Sequence, residues 1–145
     1  MVDKDAVDVG NLHRILGIVM AMVFVATGAY MHFAYNGLDG MEESQKLLFR
    51  SAHIYILLSA LVNIALGVHY WIYPKKSLRA LQRVGSTLVA LAPILFMLGF
   101  FNEPWLDELQ RPFSGPGVYA IALGCLLHVL AFYLNYRAQT EKVRG

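Results

Sequence analysis

Five histidines, His13, His32, His53, His69 and His128, stand inside or at the edges of long apolar runs, where a polar atom is costly unless it has a partner. Neutral imidazole is a good ligand for iron and other transition metals, so histidines in such places point first to metal or haem chemistry. Asn63 and Asn135 put amide groups into the same runs. Deep in these runs the only chargeable groups are the histidines, which argues against an ion-coupled pump. The chain has no phosphate loop, no paired-cysteine zinc signature and no nucleophile elbow. Its lone Cys125 rules out a disulfide framework and a cysteine-based metal site.

The elements that carry these residues follow from composition. Of 145 residues 57% are hydrophobic and 15% charged, and the mean hydropathy is +0.50, far from the balance of a soluble domain. A membrane span needs about 20 apolar residues, so four crossings use nearly the whole chain and leave no room for a soluble domain. The expected fold is all-α, an integral membrane four-helix bundle of up-down topology forming one domain, with spans at Leu12–Tyr35, Leu47–Tyr73, Leu78–Phe101 and Gly115–Tyr136. Helices are required because a backbone amide without a partner in lipid costs several kcal/mol, and the alternating segments of a barrel are absent. The connections Asn36–Lys46, Pro74–Ser77 and Asn102–Ser114 hold the Gly, Pro and charged residues expected outside hydrocarbon.

Charge sets the orientation. Lys75, Lys76, Arg79 and Arg83 surround the second connection, and Arg137, Lys142 and Arg144 follow the fourth span. The first and third connections carry Asp39, Glu42, Glu43, Glu103, Asp107 and Glu108. Lys and Arg are retained on the cytoplasmic side, so both termini are expected there, in a bacterial inner membrane. The net charge of +2 hides this asymmetry and gives no reason to expect nucleic acid. The flank of the first span is acidic and its apolar run is longer than a signal-peptide core, so it is expected to stay.

Three- and four-residue steps place His53, Ile56, Ala60, Asn63, Gly67 and Tyr70 on one face of the second span. Gly117, Ile121, Gly124, His128, Ala131 and Asn135 share a face of the fourth. Gly85, Val89, Ala92, Phe96 and Gly99 do so in the third, and Gly17, Ala21, Phe24, Gly28 and Met31 in the first. Small residues permit close helix approach, so these faces are expected inside the bundle, with the asparagines bonding between helices. At 1.5 Å per residue, His69 lies about 6 Å and His128 about 12 Å from the basic boundary. His13 is at that edge, and His32 and His53 are within a turn of the opposite surface. The preferred ligand pair is therefore His69 with His128, aided by His13, and the substitute pair is His32 with His53. A b-type haem suits such a bundle interior. One haem is expected rather than two stacked ones, because the 16 residues between His53 and His69 turn the face by roughly 160°.

The stretch LHRILGIVMAMVFVATGAYMHF, Leu12–Phe33, resembles the first helix of cytochrome b561-like and PepSY-associated membrane proteins, which open with a His-Arg or His-Trp pair at the membrane edge and carry a later glycine. The resemblance implies that His13 is a haem ligand. FRSAHIYILLSALVN, Phe49–Asn63, is similar to a patch in the small four-helix membrane glutathione transferases, though their characteristic glutamate has no counterpart in this span.

Three functions are compatible with these residues. One is a small b-type cytochrome carrying electrons between quinol and a partner protein. Another is a histidine-based transition-metal transport or delivery protein, with His32, His53, Glu42, Glu43 and Met41 at its outer mouth. The last is a non-catalytic accessory subunit, open to homo-oligomer formation. Aromatic residues at the span ends need only the interfacial belt as explanation, Pro93 is expected to kink the third span, and NEPWLDELQRPFSGPG is expected to form an interfacial amphipathic helix or a plain connector.

Overall fold

The structure is a computed structural model that describes residues 4–106 and 109–144, with side chains described for residues 8–106 and 109–141. Among the described residues there is no strand. Four long helices follow one another: α1 (Lys4–Ala34), α2 (Glu43–His69), α3 (Lys76–Asn102) and α4 (Ser114–Arg144), with one-turn 3₁₀ segments at Asn36–Leu38 and Glu103–Trp105. All four are long and apolar enough to cross a membrane.

Successive helices are antiparallel. Gly10 meets Gly67 at one end of the α1/α2 hairpin and Gly28 meets His53 near the other, while Gly85 meets Gly124 and Gly99 meets Ser114 along α3/α4. The two hairpins join chiefly along α2 and α3, and α1 and α4 flank this central pair. One end of the bundle thus carries the α2–α3 connection and the first and last turns of the chain, and the opposite end carries the other two connections. Facing positions inside are apolar and tightly filled, with Ile56, Ala60, Val89, Ala92, Phe96 and Phe100 all fully buried.

Close approach depends on glycine. A Cβ on Gly67 would lie 2.6 Å from the Arg14 backbone nitrogen and 2.8 Å from the Gly10 carbonyl oxygen, closer than van der Waals contact allows. In the other hairpin a Cβ on Gly85 would stand 2.9 Å from the Gly124 carbonyl oxygen. Each hairpin therefore has a seam of touching backbones, the arrangement that small residues provide where helices pack without help from water.

The faces expected to point inward in α2, α3 and α4 do so at their centres: Ile56, Ala60, Asn63 and Gly67, then Gly85, Val89, Ala92, Phe96 and Gly99, then Gly117, Ile121, Gly124 and Ala131 are buried. In α1 the most buried stripe is Gly10, His13, Gly17, Met20 and Thr27, which is rotated from the expected one. Ala21, Phe24 and Met31 of the expected face are half-buried against the core, and α1 begins at Lys4, so His13 lies inside the helix and not at its edge.

The end of α2 also differs from expectation. α2 ends at His69 instead of Tyr73, because the Gln82 side chain on α3 grips the following segment: its Nε2 donates to the Trp71 carbonyl at 2.7 Å and its Oε1 accepts from the Tyr73 N–H at 3.2 Å. These bonds replace those that another helical turn would have made. Tyr73 is buried there against Leu78 and Ala131, and burial pushes its hydroxyl above the ordinary tyrosine range. Among the described residues of the third connection there is one 3₁₀ turn, Glu103–Trp105, and Leu106 is extended; Asp107 and Glu108 lie outside the described residues. Trp105 packs on Tyr35 and Phe49 instead of turning wholly outward.

The same connection holds a buried acid. Glu103 is fully buried, and its Oε1 accepts from the backbone N–H groups of Phe113 and Ser114 at 3.0 and 2.7 Å while Oε2 accepts from the Ser114 hydroxyl at 2.7 Å. A carboxylate at this point meets the unpaired amides and the positive dipole end of α4. Gly99 leaves it room, since a Cβ there would be 3.1 Å from Oε2.

Candidate functional site

The polar groups that matter most lie in the half of the bundle nearest the α2–α3 connection. His13 is fully buried on α1. Its Nδ1 is 2.7 Å from Asn63 Oδ1 on α2. The Asn63 amide nitrogen donates to the Ser59 carbonyl at 2.8 Å and to the Val89 carbonyl of α3 at 3.4 Å, so its oxygen is the end turned to the histidine. That fixes the tautomer: Nδ1 carries the proton and donates, leaving Nε2 with a lone pair. Nε2 is buried and has no hydrogen-bond partner among the described residues. An imidazole held at one nitrogen by an oxygen acceptor, with the other nitrogen bare, is the usual arrangement of a metal-ligating histidine.

His13 lines a groove of about 480 Å³ between α1 and α3, closed at one side by Tyr70 and walled by Val9, Leu12, Ala90 and Leu91, with Ser86 and Thr87 supplying hydroxyls. Small-molecule and cofactor sites run from about 300 to 1,000 Å³ and are mostly apolar with a few placed polar groups. The groove meets both conditions. Arg14, the neighbour of His13, turns away and donates from Nε to the Gly67 carbonyl at 3.0 Å, which fastens α1 to α2 and steadies the histidine's turn of helix.

His128 approaches the α2/α3 seam from the other side, on α4. Its Nε2 is 3.2 Å from the Ser86 hydroxyl, and its ring is 6.1 Å from that of Tyr70, the same distance at which Tyr70 faces His13. Tyr70 is thus the wall shared by two grooves. The second, between α2 and α4, has about 220 Å³ and is lined by His69, His128, Trp71 and Phe132 among others. It brings the pair preferred from the sequence, His69 and His128, into one lining, but His69 is exposed and the volume is below the range for a cofactor-sized molecule.

At the opposite end His53 stacks on Phe24 with ring centroids 4.1 Å apart and pairs through Nδ1 with Thr27 Oγ1 at 2.8 Å. The threonine hydroxyl donates to the Phe24 carbonyl at 3.0 Å, so it accepts from His53. His32 is exposed, edge-on to Phe33. The substitute pair therefore has two separate sets of neighbours, and Glu42, Glu43 and Met41 do not complete a ligand set: among the described residues no group of three or more His, Cys, Asp or Glu side chains is placed to hold a metal ion.

Sequence reasoning missed Ser86 and Gln82 as partners. Gln82 and Ser86 sit one turn apart on the same buried face as Val89, so polar residues interrupting that periodic stripe were the available signal. For Glu103 there was no local signal, since the amides it caps come ten and eleven residues later.

The fold and site define a class: an all-helical bundle of four long apolar helices with a histidine-centred cavity between two of them. Comparison with known protein families, with curated proteins and with solved structures finds no match.

Proposed function

We propose that the chain is an integral membrane protein, crossing four times with both termini cytoplasmic in a bacterial inner membrane, and that it acts as a small b-type cytochrome passing electrons between quinol and a partner protein. The membrane reading rests on the outward faces. Ile15, Ile18, Met22 and Val25 on α1, Ile54, Leu61 and Val68 on α2, Val84, Leu91 and Ile94 on α3, and Leu126 and Val129 on α4 are all exposed, whereas a bundle in water carries charge there. The basic residues at the end formed by the α2–α3 connection and the outer turn of α4 support the cytoplasm for that end.

The observation that carries the cofactor reading is the bare, buried Nε2 of His13, on a ring that Asn63 orients and that lines a groove of adequate size. This moves the ligand from the preferred His69 and His128 to the residue implied by the resemblance of the first helix. Haem on His13 would supply one-electron chemistry. The protein's own part is to hold the ring nitrogen through Asn63, to exclude water with Leu12, Ala90 and Leu91, and to keep Tyr70 between this groove and His128.

The test is an absorption spectrum of protein purified in detergent after expression with ample haem. A Soret band that survives in wild type and disappears in His13→Ala, while His69→Ala leaves it unchanged, is the expected result. No band in any preparation removes the cytochrome and leaves an accessory subunit. Metal analysis of the same samples addresses transition-metal delivery.

A further inference from the structure

The groove between α2 and α4 is too small for a cofactor-sized molecule, but its volume of about 220 Å³ exceeds the roughly 150 Å³ that admits a benzene ring. Tyr70, Trp71 and Phe132 give it aromatic walls, and His69, Gln82 and His128 set polar groups among them. Among the described residues no Asp, Glu, Lys or Arg lines it, so the lining suits an uncharged ligand. Its mouth lies on the flank that the membrane reading assigns to lipid, where Trp71, Val129 and Phe132 are exposed. Tertiary bonds build this groove. Buried Gln82 ends α2 by bonding Trp71 and Tyr73 from α3, and Ser86 pairs with the Nε2 of His128. The rings of Trp71 and Phe132 stand 6.4 Å apart across the gap from the end of α2 to α4. An interfacial aromatic belt explains Trp71 and Phe132, but not a histidine on each of two facing helices beside one ring-sized cavity. Imidazole and the tyrosine hydroxyl each donate and accept hydrogen bonds, so they serve hydroxyl and carbonyl oxygens alike. A flat ring with an oxygen at either end and an apolar tail meets all of these conditions.

We propose that the α2/α4 groove binds the head ring of an isoprenoid quinol, with His69 and His128 at its oxygens and its tail passing Val129 and Phe132 into lipid. This rests on the membrane reading and gives the quinol named above its place on the protein; binding itself needs no haem. Tyr70 stands between the two grooves, its ring 6.1 Å from those of both His13 and His128.

The test is quenching of Trp71 fluorescence by a decyl-tailed benzoquinone, the oxidised form, in detergent. It uses the full chain carrying Trp105→Phe, which leaves Trp71 the one tryptophan. Saturable quenching is expected, weakened roughly three- to tenfold in His69→Leu by the loss of one hydrogen bond, and lost in Val129→Phe, which fills the groove. His69 is exposed, so its exchange leaves the fold intact and serves if Val129→Phe fails to fold. His13→Ala is expected to keep the binding. Quenching that rises without saturation, or that is unchanged in both groove variants, overturns the proposal. So does reversal by an equal concentration of decylbenzene, which has the ring and tail without the oxygens. Loss of binding in His13→Ala alone also overturns it and places the quinone in the His13 groove. Protein without a Soret band but with saturable quenching ends the haem reading and leaves this one standing; a Soret band without saturable quenching does the reverse.

Discussion

Asn63 organises more than any other single side chain. It joins α1, α2 and α3 through His13, Ser59 and Val89, and it decides which nitrogen of His13 is available. Replacing it by Leu leaves the His13 Nδ1–H buried without an acceptor, a loss of about 1–3 kcal/mol. Unfolding of Asn63→Leu in detergent, followed by circular dichroism, is expected to register that loss. If haem is bound, the same variant is expected to lose affinity for it by roughly ten- to a hundredfold, the usual effect of removing the group that orients a ligating histidine. Residue types and the periodicity of α2 placed Asn63 on the interior face from the sequence. Its pairing with His13 was not legible, because the two are fifty positions apart and the register between α1 and α2 is set by contact.

At the scale of helices, that register is fixed by glycine seams and by one capped terminus. Gly67→Val would drive a side chain into the Arg14 backbone and force the hairpin apart. The expected destabilisation is about 1–3 kcal/mol for a local shift and more if the seam opens, and a Gly67→Ala variant should show a smaller part of it. Glu103→Ala removes three charge-assisted hydrogen bonds from the first turn of α4. Its expected cost is about 2–3 kcal/mol, and hydrogen exchange is expected to rise first at Phe113 and Ser114. Glu103→Gln restores an acceptor but not the charge, and is expected to recover only part. The helices themselves were readable from apolar length. Their ends were not, because α2 stops where the side chain of Gln82 takes over the hydrogen bonds of Trp71 and Tyr73, and Gln82 belongs to another helix.

For the whole molecule the testable statement is topology. Reporter fusions at the N and C termini are expected to report the cytoplasm, and fusions in Asn36–Glu42 and near Gln110 the opposite side. Reversing the charge of Lys75, Lys76 and Arg79 together is expected to disturb that orientation, since the proposed topology rests on these basic residues. A protein recovered in the soluble fraction without detergent would contradict the exposed apolar faces.

Composition, apolar run length and helical period were enough to determine four long apolar helices and most of their inward faces, because each of these properties is local to a segment of the chain. Which histidine faces a cavity of useful size was decided only by tertiary structure. Cavity shape depends on how α1 and α3 stand on either side of α2, and the hydrogen bond that selects the His13 nitrogen spans two helices. Neither relation is encoded in any one stretch of residues.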